Sequence, residues 1–333
     1  MTCPRVSVAL PFFNAQQTLH AAVDSIMSQT FKDWELILFD DGSTDNSAGI
    51  AHDLARRDPR LRVVTSPHVG IVEALARACG EARGEYIARM DADDVSHPDR
   101  LERQLAETVK DSRIGLCGTL VRMVGKQLGY GRRRYERWIN SLTTHESMER
   151  ELFVECPIPH PTFFMPRDAY LDAGGYQDHG WPEDYDLCMR MFLMGRRFAK
   201  VTATLLDWTE STARLSMVSP RYSPAQFRAI KRQYMFLTHL PEGRSFCQWG
   251  AGDVGKRWLT EWADRRPRCV IDVNPRKIGR SIHGYKIVSP ENIRAMGRDF
   301  IVIAVGAPGA RDEIRQWLVR QAYTEVKDFI FVA

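Results

Sequence analysis

The chain has 333 residues, of which 44% are apolar and 26% charged, and these values exclude a fibrous or disordered protein. Its formal net charge is only +4, so we expect no nucleic-acid partner unless a local basic patch provides one. Seven cysteines occur without any C-x-x-C pair, which argues against a disulfide framework or a zinc site and favours a reducing cytoplasm.

The N-terminus leads directly into an apolar stretch at 6–13, without a basic leader or a small-residue cleavage site. We therefore expect no export signal. Apolar runs such as 300–307 are shorter than the ~20 residues needed to span a bilayer. These features predict a cytoplasmic protein that contacts the inner face of the membrane only peripherally, if at all.

The first half of the chain alternates short strands with longer helices. Strands are predicted at 6–10, 35–39, 61–65 and 85–90, and helices at 15–29, 43–57 and 69–82. This alternation predicts an α/β fold with a mainly parallel sheet and helices on both faces. Functional groups are expected where the strands end, at the carboxyl edge of the sheet.

The middle of the chain is less regular. A helix at 101–111 and a strand at 115–124 are followed by three glycines, which predict an arginine-rich loop that includes 132–138. Such a charge run is usually solvated surface, although contact with an anionic acceptor or a membrane is the alternative. The segment 148–194 is rich in Pro and Gly, as loops that bind ligands often are, and ends in a helix at 185–194.

A second α/β pattern follows an amphipathic helix at 223–240 and the sequence Pro241-Glu242-Gly243. We predict a catalytic domain at 1–220, a helical linker at 221–242 and an accessory domain at 243–333. The accessory domain is predicted to have five strands, at 246–249, 269–273, 285–288, 300–305 and 328–332, with helices at 253–264, 290–296 and 310–322.

Two acidic clusters follow predicted strands, at 40–45 and 91–94. Helix capping alone explains either cluster about as well as a ligand does. In an extended segment Asp91 and Asp93 point to the same side, where two carboxylates repel unless a cation lies between them and a ligand. Oxygen ligands and a diphosphate suit Mg²⁺ or Mn²⁺, so a divalent metal site is predicted there.

These motifs, in their order and spacing, resemble those of the family 2 glycosyltransferases. The resemblance covers about residues 4–216 and is carried by 6–14, 25–30, 40–45, 84–94, 98–101, 160–162 and 174–176. It implies a GT-A fold, metal-dependent transfer with inversion, and a nucleoside-diphosphate sugar donor, with UDP favoured. The expected acceptor is a hydroxyl of a glycan or a lipid-linked molecule, as in bacterial surface polysaccharide synthesis.

The resemblance also implies roles for individual residues. Pro11 and Asn14 would line the nucleotide cleft, and Asp41 would contact the base. Asp91 and Asp93 match the D-x-D pair of the family, in which Asp93 would bind Mn²⁺ or Mg²⁺ directly and Asp91, also counted as a metal ligand, would face the ribose or sugar.

A general base is also required, because the acceptor hydroxyl loses its proton as it attacks the sugar. Asp184 matches the family's E-D motif and is the predicted base, although acidic residues also open helices for local reasons. Trp181 and Tyr185 beside it are a candidate sugar platform. His160 is predicted to be structural, and Arg214 is equally a diphosphate ligand or an ordinary surface residue.

Gly250, Gly252 and Gly255 follow a predicted strand and open a helix, and Asp272 ends the next strand. This is the dinucleotide fingerprint in its usual context, so these four residues are candidate ligands of a nucleotide. The rival function is that of an NAD-dependent oxidoreductase, but this sequence shows no evident hydride-transfer site. A nucleotidyltransferase is less favoured still, because 8–14 has no glycine- and lysine-rich loop. We therefore predict a Rossmann-like accessory module that holds a nucleotide, unless its glycines serve tight packing alone.

Overall fold

The computed structural model describes residues 3–125, 128–210, 214–262 and 265–333, with the side chains of 216 and 294–296 outside this description. The chain divides into two compact units. Unit 1 comprises Met1–Met148 and Pro157–Ser219, and unit 2 comprises Glu149–Cys156 and Pro220–Ala333. The short segment 149–156, which the sequence prediction assigned to the first domain, thus belongs with the second half of the chain.

Seventeen helices and strands precede residue 220 in the described part of the chain. In chain order they are β1 (Val6–Phe12), α1 (Leu19–Met27), β2 (Trp34–Asp40), α2 (Ser47–Ala55), β3 (Leu61–Thr65), α3 (Ile71–Gly80), β4 (Tyr86–Arg89), β5 (Val95–Ser96), α4 (Arg100–Thr108), β6 (Ile114–Val124), α5 (Tyr130–Ser141), α6 (His145–Glu151), β7 (Phe164–Pro166), α7 (Arg167–Asp172), α8 (Glu183–Leu193), β8 (Arg197–Thr209) and α9 (Leu215–Val218).

The strands of unit 1, as far as the structure describes them, form one eight-stranded sheet in the order β3-β2-β1-β4-β7-β6-β8-β5. β1 pairs in parallel with both β2 and β4, whereas β7 is antiparallel to β4 and β6. The sheet is therefore mixed, and the predicted α/β fold class is confirmed. The parallel half brings the ends of β1, β2 and β4 to one edge, which positions the site described below.

β1 and β2 form the centre of the parallel half and are buried along their whole length. Near-continuous apolar runs are typical of strands with helices on both faces. One charged exception is Glu35, which is buried in β2 and accepts hydrogen bonds from Ser7 Oγ (2.7 Å) and Arg83 N (2.9 Å) and pairs with Arg62 (3.1 Å). Its charge is thus compensated, as burial requires.

The predicted arginine-rich loop at 132–138 is wrong, because these residues lie in helix α5. The apolar residues Tyr135, Trp138 and Ile139 are spaced so that they share one face of a helix, and they pack on the core of unit 1. Ile139 is fully buried. Arg133, Arg134 and Arg137 are exposed, whereas Arg132 lies on the apolar face with its guanidinium over the Tyr135 ring. The flanking glycines therefore mark the start of a helix rather than a loop.

Unit 2 contains a second, smaller α/β sheet. Its elements from residue 220 onwards are α10 (Pro224–Thr238), β9 (Phe246–Trp249), α11 (Asp253–Glu261), β10 (Val270–Ile271), β11 (Ser281–Ile282), β12 (Tyr285–Val288), β13 (Phe300–Ile303), α12 (Ala310–Arg320) and β14 (Phe329–Phe331). The predicted helix at 290–296 is a 3-10 helix. Six strands rather than the predicted five occur in the described residues, because β11 forms a hairpin with β12.

The strand order of unit 2 is β11-β12-β10-β9-β13-β14, and all pairs except the β11–β12 hairpin are parallel. The chain starts at β9, proceeds to β10 and β12 on one side, and then returns to β13 on the other side. This reversal beside the first strand is the switch point of a doubly wound sheet, where ligands bind in such folds.

The segment 149–156 is fixed to unit 2 by ion pairs and a buried lysine. Glu151 pairs with Arg311 (2.6 Å) and Arg315 (3.0 Å), and Lys231 Nζ donates to the carbonyl oxygen of Val154 (2.6 Å). Burial lowers the pKa of Lys231 to about 8. Among the helices of both units that the structure describes, none combines the length and apolar character needed to cross a bilayer.

Candidate active site

The end of β2 places Asp41 at the carboxyl edge of the first sheet. Its side chain is only 5% exposed, and its two oxygens accept hydrogen bonds from the backbone N–H groups of Val69 (2.7 Å) and Gly70 (3.0 Å). His68 Nδ1 lies 2.9 Å from the same carboxylate, and the His68 ring lies 4.3 Å from the ring of Phe13. Phe13 and His68, which the sequence analysis missed, thus form an aromatic pair beside Asp41.

Pro11 lies in β1, and Asn14 follows that strand with a positive φ of 52°. The side-chain oxygen of Asn14 accepts hydrogen bonds from the N–H groups of Thr44 (2.8 Å) and Asp45 (3.3 Å). Asn14 therefore ties the end of β1 to the acidic loop after β2. This contact explains the residue structurally, and its role in nucleotide binding stays a prediction.

The loop after β4 brings the carboxylates of Asp91, Asp93 and Asp94 together, with one oxygen from each within 4.8 Å of the others. Burial, and then the charge of Asp91, raise the pKa of Asp93 to about 6. Burial, and then the charges of Asp91 and Asp93, hold the pKa of Asp94 well above its usual range. Asp94 Oδ1 accepts from Thr209 N (2.7 Å), whereas its Oδ2 has no hydrogen-bond partner among the described residues.

Arg89, at the end of β4, is a buried cation that the sequence analysis missed. It forms an ion pair and a hydrogen bond with Asp91. Burial opposes its charge, but Asp91 more than compensates and raises the pKa of the guanidinium. Burial raises the pKa of Asp93, Asp94 and Asp184, and the positive charge of Arg89 offsets part of that rise. Arg89 therefore lies at the electrostatic centre of the site.

Asp184 lies in the first turn of α8, which Pro182 precedes as the N-cap residue. Of the three acidic residues in this turn, Glu183 and Asp186 are fully buried, and Asp186 binds Trp181 Nε1 (2.8 Å) and Arg190 (2.8 Å). Asp184 is partly exposed and accepts from its neighbour's N–H at 2.7 Å. Burial raises the pKa of Asp184, and the charge of Asp91 adds to this effect.

These interactions distinguish Asp184 from its neighbours. The mutual influence of Asp91, Arg89 and Asp184 indicates that the first turn of α8 faces the acidic loop after β4. Trp181 is oriented by Asp186, and Tyr185 is fully buried, so packing accounts for Tyr185 without a sugar ligand. Asp184 thus combines partial exposure with an elevated pKa, which suits a proton acceptor.

His160 is buried beside this turn. Its Nε2 lies 2.8 Å from the Tyr176 hydroxyl, and its Nδ1 lies 3.8 Å from Glu183. Burial and the nearby Arg89 hold the pKa of His160 well below its usual range, so the ring is neutral. These contacts agree with the structural role expected for His160.

Arg214 lies close enough to Asp93 for its positive charge to offset part of the rise that burial and Asp91 cause in the pKa of that carboxyl. It pairs with Glu210 at 2.6 Å, and its guanidinium lies 4.8 Å from the centre of the Trp208 ring. Arg132 of α5 pairs with the same glutamate at 2.7 Å. The sequence left Arg214 between two interpretations, and this environment is that of a residue held beside the acidic cluster rather than an isolated surface arginine.

The residues present fit a divalent cation. Three carboxylates converge, burial and mutual repulsion raise the pKa of two of them, and Asp94 keeps one buried oxygen without a partner in the described chain. Hard oxygen ligands of this kind suit Mg²⁺ or Mn²⁺. Two positive groups, Arg89 and Arg214, accompany the carboxylates, so the edge can bind both a cation and a negatively charged ligand.

The remaining predicted ligands, Gly250, Gly252, Gly255 and Asp272, lie in unit 2. A cavity of about 690 Å³ opens there at the carboxyl edge of the second sheet, and Gly250, Gly252 and Asp272 line it. Gly255 instead packs against the sheet, because a Cβ at this position would lie 2.0 Å from the carbonyl oxygen of Gly250. Asp272 accepts from Ala251 N (2.9 Å) and pairs with Lys277 (3.1 Å).

The sequence profile of Glycosyl transferase family 2 matches residues 7–175, the region that contains β1, the acidic loops and the segment around His160. The chain belongs to this family, and it is a glycosyltransferase that transfers sugar from a nucleotide sugar. The match ends before Asp184, so the assignment of that residue depends on the geometry above and on the motif.

The chain is 32% identical over 225 residues to the protein EpsE of Bacillus subtilis (strain 168), which is named as a glycosyltransferase. This match covers 66% of the chain and 78% of EpsE. Among solved structures, residues 1–349 of S. aureus TarS in complex with UDP-GlcNAc align with a TM-score of 0.58 and 18% identity, over 78% of this chain and 72% of that one.

A mannosyltransferase from Pyrobaculum calidifontis, PcManGT, solved with GDP-Man and Mn²⁺, aligns over 97% of this chain and 82% of its own. The TM-score is 0.53 and the identity 16%. At such identities the two structural matches support the fold alone.

Proposed function

We propose that unit 1 transfers a sugar, with inversion, from a UDP-sugar to the hydroxyl of an acceptor. The observation that carries this proposal is the convergence of Asp91, Asp93 and Asp94 after β4, with the partly exposed Asp184 near enough to Asp91 and Arg89 for their charges to interact. Donor binding and proton removal are thereby assigned to two different groups of carboxylates. The acceptor class, a glycan or glycolipid, and a peripheral membrane contact stay predictions from the sequence.

The donor is proposed to bind along the edge formed by β1, β2 and β4. Asp41 and the Phe13–His68 pair would contact the base, with Pro11 and Asn14 lining the cleft beside them. Asp93 would hold Mn²⁺ or Mg²⁺, assisted by Asp91, and this ion would stabilise the negative charge that develops on the leaving diphosphate. Arg214, beside Asp93, would contact the same diphosphate.

Asp184 is proposed as the general base. As the acceptor oxygen bonds to the anomeric carbon, the bond from that carbon to the diphosphate breaks, and Asp184 takes the acceptor proton. Its elevated pKa makes it a better proton acceptor than an ordinary aspartate. Arg89 and the Tyr185 N–H group oppose full protonation and keep the carboxylate form available.

The test uses two donors, UDP-GlcNAc and GDP-mannose, with Mn²⁺ present and with water as the acceptor. Release of nucleoside diphosphate measures turnover, and calorimetry measures donor affinity. Asp184→Asn is expected to keep the donor Kd within about twofold while turnover falls by ~10²–10⁴-fold, because a positioned base contributes that much. A preference for UDP-GlcNAc supports the proposed UDP specificity.

The matched control is Asp172→Asn, which removes an exposed carboxylate whose partner is Arg196 (3.2 Å). Both of its readouts should equal those of the wild type. Unchanged turnover in Asp184→Asn would exclude this residue as the base. Full turnover in a sample treated with chelator would exclude the metal-dependent mechanism.

A further inference from the structure

Unit 2 contains the 690 Å³ cavity, and the transferase reaction proposed for unit 1 makes no use of it. The cavity lies at the carboxyl ends of β9, β10 and β13, which is the switch point of this doubly wound sheet. Its volume falls in the range of sites that enclose small ligands, about 300–1,000 Å³. Glycines line part of the cavity, and because they have no side chain, a ligand there can approach the backbone closely.

Two of the three glycines in the fingerprint are explained by the protein itself. A Cβ at Gly250 would lie 2.5 Å from the carbonyl oxygen of Ala304, and this residue has a φ of +117°. A Cβ at Gly255 would collide with Gly250. Both positions therefore need glycine for folding alone, whether or not a ligand binds.

Gly252 is different. It has an ordinary extended backbone (φ −84°, ψ −171°) that any residue adopts, and a Cβ there would meet nothing within 4 Å. It lines the cavity at the start of α11, where the N–H groups of the first turn have no partner within the helix. No contact within the described chain requires glycine at this position. A larger side chain here would instead project into the open space of the cavity, where a ligand would lie.

The walls of the cavity have the chemistry of a nucleotide site. Asp272 directly follows β10, and its carboxylate is oriented by the N–H groups of Ala251 (2.9 Å) and Asn274 (2.8 Å), as a group that binds ribose hydroxyls must be. Lys277, which pairs with Asp272 at 3.1 Å, and Arg320 place positive charge at the cavity, and three further carboxylates also line it, those of Asp253, Glu291 and Glu313. Val273 lines the rim and is 68% exposed, which gives a base an apolar surface to cover.

We infer that this cavity is a second nucleotide site, which binds the ribose and diphosphate of a ribonucleotide without a metal ion. The diphosphate would lie against Gly252 and the first turn of α11, and the ribose against Asp272. A free nucleoside diphosphate, a sugar nucleotide and a dinucleotide all share this chemistry. The site is independent of the donor site proposed for unit 1, since its ligands are backbone N–H groups rather than a cation-binding cluster.

The experiment titrates the full-length protein with ADP, UDP, UDP-GlcNAc and NAD⁺ by calorimetry in the presence of EDTA. At least one of these probes should bind, and Asp93→Ala should leave its Kd unchanged, which separates this site from the donor site. Gly252→Leu should weaken binding at least tenfold. Gly80→Leu is the control, because Gly80 in α3 also has open space around it but lies in unit 1.

Val273→Ser provides a second variant, which removes the apolar surface at an exposed position and should weaken binding severalfold without affecting folding. The melting temperature without nucleotide should be the same for the wild type and for Gly252→Leu, Gly80→Leu and Val273→Ser. Preference for NAD⁺ or for ADP would identify the ligand as a dinucleotide or a free diphosphate, and either result supports the site. The inference would be overturned if none of the four probes bound in EDTA. It would also be overturned if Gly252→Leu and Val273→Ser bound nucleotide as tightly as the wild type does.

Discussion

The two sheets end in edges of opposite character. In unit 1 the edge carries three neighbouring carboxylates that repel one another, and burial together with this repulsion raises the pKa of Asp93 among them. The positive charges of Arg89 and Arg214 partly balance the cluster. In unit 2 the equivalent edge combines glycines and apolar side chains with Asp272, whose hydrogen-bond partners are already in place, and its other charged side chains are dispersed around the cavity. Both edges suit a diphosphate, one through a cation and the other through backbone N–H groups.

This difference has a physical consequence. Carboxylates bring their own charge, so their function depends on pH and on a divalent ion. Backbone N–H groups carry no titratable proton, and their position depends on how closely helix and strand approach. Ligand binding at the edge of unit 1 should therefore depend on pH and on divalent ions. Ligand binding at the edge of unit 2 should depend on substitutions that change how closely helix and strand pack.

The largest effect is expected from Asp93→Ala, which tests the charged edge. Turnover of the nucleotide-sugar donor should fall by about 10²–10⁴-fold, because a cation that stabilises a leaving group contributes several kcal/mol. Thermal melting in EDTA should meanwhile show a higher Tm than the wild type, since the substitution removes a carboxylate whose charge is opposed by burial and by Asp91. Lower turnover with an unchanged or lower Tm would contradict this account of Asp93.

An intermediate effect is expected from Gly255→Ala, which tests packing in unit 2. The added methyl group would lie 2.0 Å from the Gly250 carbonyl oxygen, and overpacking of this kind costs about 1–3 kcal/mol or more. The Tm should fall by roughly 4–15 °C, as measured by scanning calorimetry. Gly252→Ala is the control and should leave the Tm unchanged, so equal melting of both variants would refute the distinction between the two glycines.

The smallest effect is a pH dependence at the charged edge. Asp93 has a pKa of about 6, so below that pH a proton competes with Mn²⁺ for the carboxylate. The apparent Kd for Mn²⁺ should rise about tenfold for each pH unit below 6 and level off above it, as measured by calorimetry. Asp93→Asn should bind Mn²⁺ more weakly and show less of this rise, and a Kd independent of pH in the wild type would disprove the assignment.

The sequence was sufficient for those features that depend on local pattern. Alternating strands and helices indicated the α/β class, and motifs placed the acidic loops at strand ends, where the structure has them. It also indicated the position of Asp184, because a short acidic motif opens a helix there. The strands, helices and acidic loops follow from periodicity and spacing, which are visible along the chain, whereas the choice of Asp184 followed from the resemblance to the family's E-D motif.

Other features depended on contacts between distant segments. Arg89 appears as an ordinary strand residue until the fold buries it beside Asp91. Arg214 pairs with Glu210, packs on the ring of Trp208 and lies near Asp93, and none of these contacts is visible along the chain. The error at α5 was avoidable, because Tyr135, Trp138 and Ile139 have helical spacing, but the three glycines before them outweighed that signal.

The segment 149–156 limits how this protein can be dissected. The polypeptide leaves one unit after Met148, returns to it at Pro157, and leaves again after Ser219. A protein truncated near residue 220 would keep Glu151 and Phe153 but lose Arg311 and His239, against which they pack. Transplanting the C-terminal half onto another transferase would therefore require the eight-residue segment 149–156 as well.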